Sequence, residues 1–99
     1  MIGRVAVAGC LDFGDVQVSI GPAVGQVTLE LRSSVLSRYG RQIRRVVLDT
    51  LASLGVEAAL VTVVDNGALD YTIRARTECA VYRAMGYRGP IPWGGELRP

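Results

Sequence analysis

Neither histidine nor lysine occurs anywhere in this sequence. Without histidine the chain lacks the commonest general base and the commonest metal ligand, so Ser-His and Cys-His dyads and histidine-based zinc sites are excluded. Without lysine, Schiff-base chemistry and the lysine of a phosphate-binding P-loop are excluded as well. Cysteine is nearly absent: Cys10 and Cys79 stand far apart with no CxxC spacing. The start, MIGRVAVAGC, lacks the long apolar stretch of a signal peptide and soon meets Asp12 and Asp15. No stretch reaches the ~20 apolar residues of a membrane span. The expectation is a cytoplasmic, soluble protein with reduced thiols and no membrane partner. A formal net charge of +2 gives no bulk electrostatic case for nucleic acid.

What is present suits a folded protein. Apolar residues form 49% of 99 positions, enough for one modest core and too few residues for two domains. We therefore read residues 1–99 as a single domain. Arg4 to Ala8 reads as a short strand and Gly9 to Gly14 as a loop. From Asp15, Val16, Val18 and Ile20 alternate with Gln17 and Ser19, the period of a half-buried strand. Val27, Leu29 and Leu31 alternate with Thr28, Glu30 and Arg32 in a third strand, and Gly21, Pro22 and Gly25 between them suggest a hairpin. Leu36, Tyr39, Ile43, Val47, Leu51 and Leu54 then recur at helical steps, with Ser33 or Ser34 as cap and Gly55 as terminator. Ala59 to Val64 is strand-like, and Asp65-Asn66-Gly67 is the strongest turn signal, suited to a tight hairpin. Alternation of Leu69, Tyr71, Ile73 and Ala75 predicts a strand that passes into a helix from about Arg76 to Met85. A helix starting directly at Ala68 is the alternative. Gly86 ends the helix, and the glycine- and proline-rich tail, 87–99, is expected to be extended, with Trp93 as its anchor on this domain or on a partner. The expected fold is α+β: a mainly antiparallel sheet packed against one long helix, plus a shorter C-terminal helix.

Few residues invite a chemical role. All eleven basic residues are arginine, and Arg38, Arg41, Arg44 and Arg45 line the outer side of the long helix. They read as a solvated face, or as a holder of phosphate or an acidic surface. Asp65, Asp70, Glu57 and Glu78 form no recognisable metal loop, and Asp65 is expected to bond back to nearby amides in its turn. The loop Gly9-Cys10-Leu11-Asp12-Phe13-Gly14-Asp15-Val16 is a glycine-flanked turn that either presents Phe13 outward or buries it against the sheet.

With that loop the chain becomes recognisable. Ala6-Val7-Ala8-Gly9, Gly14-Asp15-Val16, Ser33-Ser34-Val35, Tyr39-Gly40, Ile43-Arg44, Asn66-Gly67-Ala68-Leu69-Asp70, Ile73-Arg74-Ala75-Arg76 and Pro92-Trp93 follow one another in characteristic order and spacing. From about Val5 to Trp93 the chain resembles the citrate lyase gamma subunit family, the citrate lyase acyl carrier proteins. The resemblance implies a subunit with no catalytic residue, and the acidic residues themselves suggest no metal site. In that family a serine immediately before the Gly-Asp pair carries a phosphoribosyl dephospho-coenzyme A group through a phosphodiester. The implied partners are an alpha subunit (CoA-transferase), which exchanges the carried acetyl for citrate, and a beta subunit (citryl lyase), which cleaves the citryl thioester to oxaloacetate. Tethering keeps the thioester at high effective concentration near both sites.

At the attachment position this chain has Phe13, which has no hydroxyl, while Gly14 and Asp15 are retained. Ser19 falls within a predicted strand, and a thiol linkage at Cys10 would be unlike the family's chemistry. Three readings stand open. The chain is a structural or regulatory member of a citrate lyase-like complex, with Phe13 in the pocket that the prosthetic group normally enters. Or it is an ordinary carrier whose attachment serine has been mutated. Or, with the resemblance set aside, it is a free-standing phosphate- or nucleotide-binding module built on the arginine helix.

Overall fold

The computed structural model describes residues 2–33 and 36–87, with the backbone alone for 36–38. Elements follow in the order β1 (Ala6–Gly9), β2 (Val16–Gly21), β3 (Val27–Ser33), α1 (Leu36–Ser53), β4 (Ala59–Asp65) and α2 (Asp70–Ala84). The sheet order is β1-β2-β4-β3. β1 and β2 form an antiparallel hairpin in which Ala8 faces Val18, and β2 runs antiparallel to β4 with Val18 opposite Val63. β3 pairs with β4 in parallel, Leu29 opposite Val61.

Two sequence expectations are corrected here. The second and third strands do not form a hairpin, because β4 lies between them. Parallel neighbours need a crossover connection, and α1 supplies it between β3 and β4. The expected strand at 69–75 does not exist either: Asp70 onward is helical, as in the alternative reading from Ala68. The face that α2 buries is Ile73, Thr77, Ala80, Val81 and Ala84, a helical spacing, while Leu69 and Tyr71 of the apparent alternation are exposed. Asn66-Gly67 is a turn with Gly67 at φ +88°, but it leads into this helix and not into a hairpin. Asp65 takes the role expected of it, accepting the amides of Gly67 at 3.2 Å and Ala68 at 3.0 Å.

One sheet face carries Ala8, Val16, Val18, Ile20, Ala59, Val61 and Val63, all buried. Against it α1 packs Ile43, Val47 and Leu51, with Leu54 just past its end, and α2 packs Ile73, Ala80, Val81 and Tyr82. Burying each such aliphatic side chain stabilises the fold by about 1.5–3 kcal/mol before the entropy cost is counted. From Ile43 onward the α1 stripe follows the predicted periodicity, whereas Tyr39, expected on the same face, is exposed and the Leu36 side chain lies outside the described set. The helix stops before Gly55, whose φ of +74° suits the left-handed position after a helix end. α2 stops before Gly86 at φ +75°. Tyr87 then folds back, its amide donating to the Tyr82 carbonyl at 2.9 Å and its ring 5.1 Å from that of Tyr82. Ser34, Trp93 and the tail beyond residue 87 lie outside the described residues.

Candidate functional site

The hairpin loop 10–15 joins β1 to β2, and glycine makes its closure possible. Gly9 adopts φ +83°, and a Cβ there would collide with the Val16 carbonyl oxygen. Only a residue without a side chain fits between the two strands at the base of the loop. At the far side Gly14 also has φ +83°, with open space around it. Between them the chain turns outward.

Four hydrogen bonds fix the loop and moor it to the β4–α2 turn. The Asp15 amide donates to the Asp12 carbonyl at 3.0 Å, and the Gly14 amide donates to the Asn66 carbonyl at 2.7 Å. Asn66 returns the bond from its own amide to the Asp15 carbonyl at 2.9 Å, and its side-chain amide reaches the Leu11 carbonyl at 3.2 Å. The same end of the sheet thus holds the 10–15 loop, the end of β3 and the start of α2. There the Ser33 hydroxyl donates to Asp65 at 2.9 Å.

Beneath the loop lies a small polar network. Asp15 accepts the Cys10 thiol at 2.9 Å, the Val16 amide at 2.7 Å, and the Arg76 guanidinium at 3.2 and 3.3 Å. The thiol, then Arg76, then the amide hold the Asp15 carboxyl down at about 2. Donation to Asp15 pushes the Cys10 thiol above its ordinary value, so it stays protonated and is a weak nucleophile. Arg76 is raised in turn by its bond to Asp15. This network holds the loop from below and offers no activated group. Arg76, 61 residues from Asp15, could not be associated with it from the sequence, although Gly14 and Asp15 themselves could be singled out.

Phe13 sits at the tip and is 94% exposed; Leu11 beside it is 57% exposed. Of the two sequence readings, the outward one holds. The loop residues do not fit the prosthetic group that the resemblance implies. Phe13 has no hydroxyl, Cys10 is held protonated against a carboxylate, and Ser19 lies inside β2, half-buried.

The other candidates are not drawn into this loop. Arg41, Arg44 and Arg45 are exposed on α1 and make no ion pair with a described residue, and the side chain of Arg38 lies outside the described set. Glu78 is buried and pairs with Arg74 at 3.0 Å. A groove of about 610 Å³ between α1 and the start of α2 includes Tyr39, Ile43, Leu69 and Tyr71. Its polar groups serve the fold: Asp65 holds the turn, and Asp70 accepts the Gln42 side chain at 2.7 Å. Among the described residues no three acidic or cysteine side chains converge to hold a metal, and no helix is long and apolar enough to cross a membrane.

Comparison with known proteins places this architecture. A family model described as the malonate decarboxylase delta subunit (MdcD), an acyl-carrier family, matches residues 4–84. The chain is 49% identical over 85 residues to a citrate lyase acyl carrier protein of Streptococcus uberis, covering 86% of this chain and 84% of that one. It is 45% identical over 92 residues to the citrate lyase acyl carrier protein of Cronobacter sakazakii, covering 93% and 94% of the two chains. A chain in the crystal structure of a Pseudomonas malonate decarboxylase hetero-tetramer superposes with a TM-score of 0.69 at 24% identity, over 84% of this chain and 86% of that chain, which establishes the shared fold. Fold, family match and relatives agree, and the chain belongs to the acyl-carrier family that includes the malonate decarboxylase delta subunit and the citrate lyase acyl carrier proteins.

Proposed function

We propose that this chain is the acyl-carrier-type gamma subunit of a citrate lyase-like complex, cytoplasmic and without catalysis of its own. In this form it is unable to carry a prosthetic group at position 13 and acts as a structural or regulatory member. The observation that carries the reading is Phe13: the tip of an otherwise intact carrier loop, with Gly14 and Asp15 in place, ends in a benzyl group. No phosphodiester can form on it. The proposed partners are an alpha subunit of the CoA-transferase type and a beta subunit of the citryl lyase type, which would then work on free coenzyme A thioesters. The described side chains support a non-catalytic role, since Asp15, Asp65 and the Cys10 thiol are occupied in holding the loop and the turn beside it.

Intact-mass measurement of the protein from its native host, together with identification of what copurifies, tests this. A mass equal to the bare chain alongside alpha- and beta-type subunits is the expected result. An added mass matching phosphoribosyl dephospho-coenzyme A would overturn the non-carrying assignment, and purification alone at every gentle step would overturn complex membership.

The preserved loop geometry also favours a second reading, an ordinary carrier with a mutated attachment residue. In a Phe13→Ser protein the hydroxyl would stand at an exposed, rigid tip. Attachment of the group to that variant by the loading transferase would support this reading; failure of attachment, with the enzyme active on a known carrier, would exclude it.

A further inference from the structure

We propose that the 10–15 loop is a preformed protein-docking knob, in which Phe13, supported by Leu11, enters an apolar pocket with a basic rim on a larger subunit of the complex. The inference rests on the complex membership proposed above and specifies the contact. A phenylalanine side chain offers no charge, no nucleophile and no hydrogen bond, so what its display can supply is apolar and aromatic contact. At 94% exposure Phe13 makes almost none of that contact within its own chain. Nor does it contribute to the core, so the fold gains nothing from having it there.

The loop beneath is built to hold the tip still. Bonds of Gly14 and Asp15 with Asn66, of Asp15 with Asp12, and of Asn66 with Leu11 fix its backbone. The Cys10–Asp15–Arg76 network fixes its base. A tip held this way loses little conformational freedom on binding, which is the circumstance in which one buried aromatic contributes most to affinity.

Charge identifies the rim of the pocket. Asp12, next to Phe13, is exposed, and its described side-chain partner is the Cys10 thiol at 3.4 Å, with no ion pair among the described residues. Asp15 is already neutralised by Arg76. Among the described residues the tip therefore presents one carboxylate without an ion-pair partner beside two apolar side chains, and an arginine or lysine at the mouth of the receiving pocket would complement it. The same carboxylate would be repelled by an anionic lipid surface, which favours a protein over a membrane as the occupant.

The test is assembly with the alpha- and beta-type subunits of the same host, measured as the dissociation constant of wild type, Phe13→Ala, Leu11→Ala and Val24→Ala. Val24 is 99% exposed in the turn at the opposite end of the sheet and serves as a control for surface hydrophobicity. Because Phe13 is exposed, all variants should fold, checked by thermal midpoints close to wild type. The expected result is at least a tenfold weakening for Phe13→Ala, a smaller loss for Leu11→Ala and none for Val24→Ala. A wild type that assembles while Phe13→Ala binds equally well would overturn the docking knob and leave complex membership standing. An equal loss for Val24→Ala would overturn it too, since the effect would then be unspecific. A wild type that does not bind those subunits would overturn both. Phe13-dependent binding to vesicles of anionic phospholipid would overturn the protein pocket in favour of a membrane.

Discussion

Replacing Asp15 with asparagine is expected to cost the fold about 1–2 kcal/mol at neutral pH and to remove part of its acid sensitivity. The magnitude follows from the network beneath the loop. Asp15 is 16% exposed, and its carboxyl, bonded by the Cys10 thiol, Arg76 and the Val16 amide, is held at about 2 against an ordinary 3.8. At about 1.4 kcal/mol per pH unit that difference sets a ceiling of roughly 2.5 kcal/mol. The Arg76 side chain is 43% exposed, so water screens much of the ion pair, and asparagine keeps an acceptor for the Val16 amide. The expected loss therefore falls below the ceiling. The carboxyl's pKa is depressed in the fold, so its contribution is complete above 3.8. It fades as the pH falls towards 2 and is gone once the carboxyl is protonated in both states. Urea unfolding of wild type and Asp15→Asn between pH 2 and 7 measures this. The stability gap should be constant from about pH 5 to 7 and close progressively below pH 4. Equal stability at pH 7, or a gap that persists unchanged at the acid end, would refute the account of the network.

Other substitutions test other parts of the fold. Gly9→Ala should cost more than about 3 kcal/mol, because its Cβ would collide with the Val16 carbonyl as well as meeting a positive φ; Gly14→Ala, with open space around it, should cost only about 1 kcal/mol. Thermal unfolding of the pair separates collision from backbone strain, and equal losses would mean the hairpin base is drawn wrongly. Asp65→Ala removes the acceptor of Ser33, Gly67 and Ala68 at once and should lower stability by about 2–4 kcal/mol in denaturant titrations. Val61→Ala, in the buried centre of β4, should cost about 2–3 kcal/mol, whereas Leu60→Ala on the exposed face should stay within about 0.5 kcal/mol. Comparable unfolding midpoints for those two would reverse the assignment of the sheet's faces.

The elements that could be read from the sequence are those whose period is set by a single buried face. α1 declares itself through Ile43, Val47, Leu51 and Leu54, and β2 through Val16, Val18 and Ile20, because each packs one side against the core. Pairing is different. Alternation tells a strand which side is buried but not which strand lies beside it, so the nearest neighbour in sequence, β3, was expected where β4 stands. The clue available was the intervening helix, since a strand, a helix and a strand in succession favour parallel neighbours. The segment 69–75 misled because Leu69, Tyr71, Ile73 and Ala75 alternate by coincidence; of these only Ile73 is fully buried. Leu11-Asp12-Phe13-Gly14-Asp15 was legible as a loop that matters. Phe13's direction and the Arg76 and Asn66 contacts were not, since they depend on segments more than fifty residues away.

The position of β4 also sets an order in time. β1 and β2 can pair as soon as both have been synthesised, but β3 has no neighbour in the sheet until β4 arrives. Among the described residues the strand that joins the two halves is the last strand made, and α2, which comes after it, covers β1 and β2. A nascent chain that stops before residue 59 therefore holds one small hairpin, an unattached strand and a helix with nothing to pack its apolar stripe against. Closing the sheet requires contacts between distant parts of the chain, and such contacts slow folding relative to local ones. Until β4 inserts, the free edge of β2 and both edges of β3 stand open to other chains, so the interval between synthesis of β3 and arrival of β4 is when this protein is most prone to aggregate.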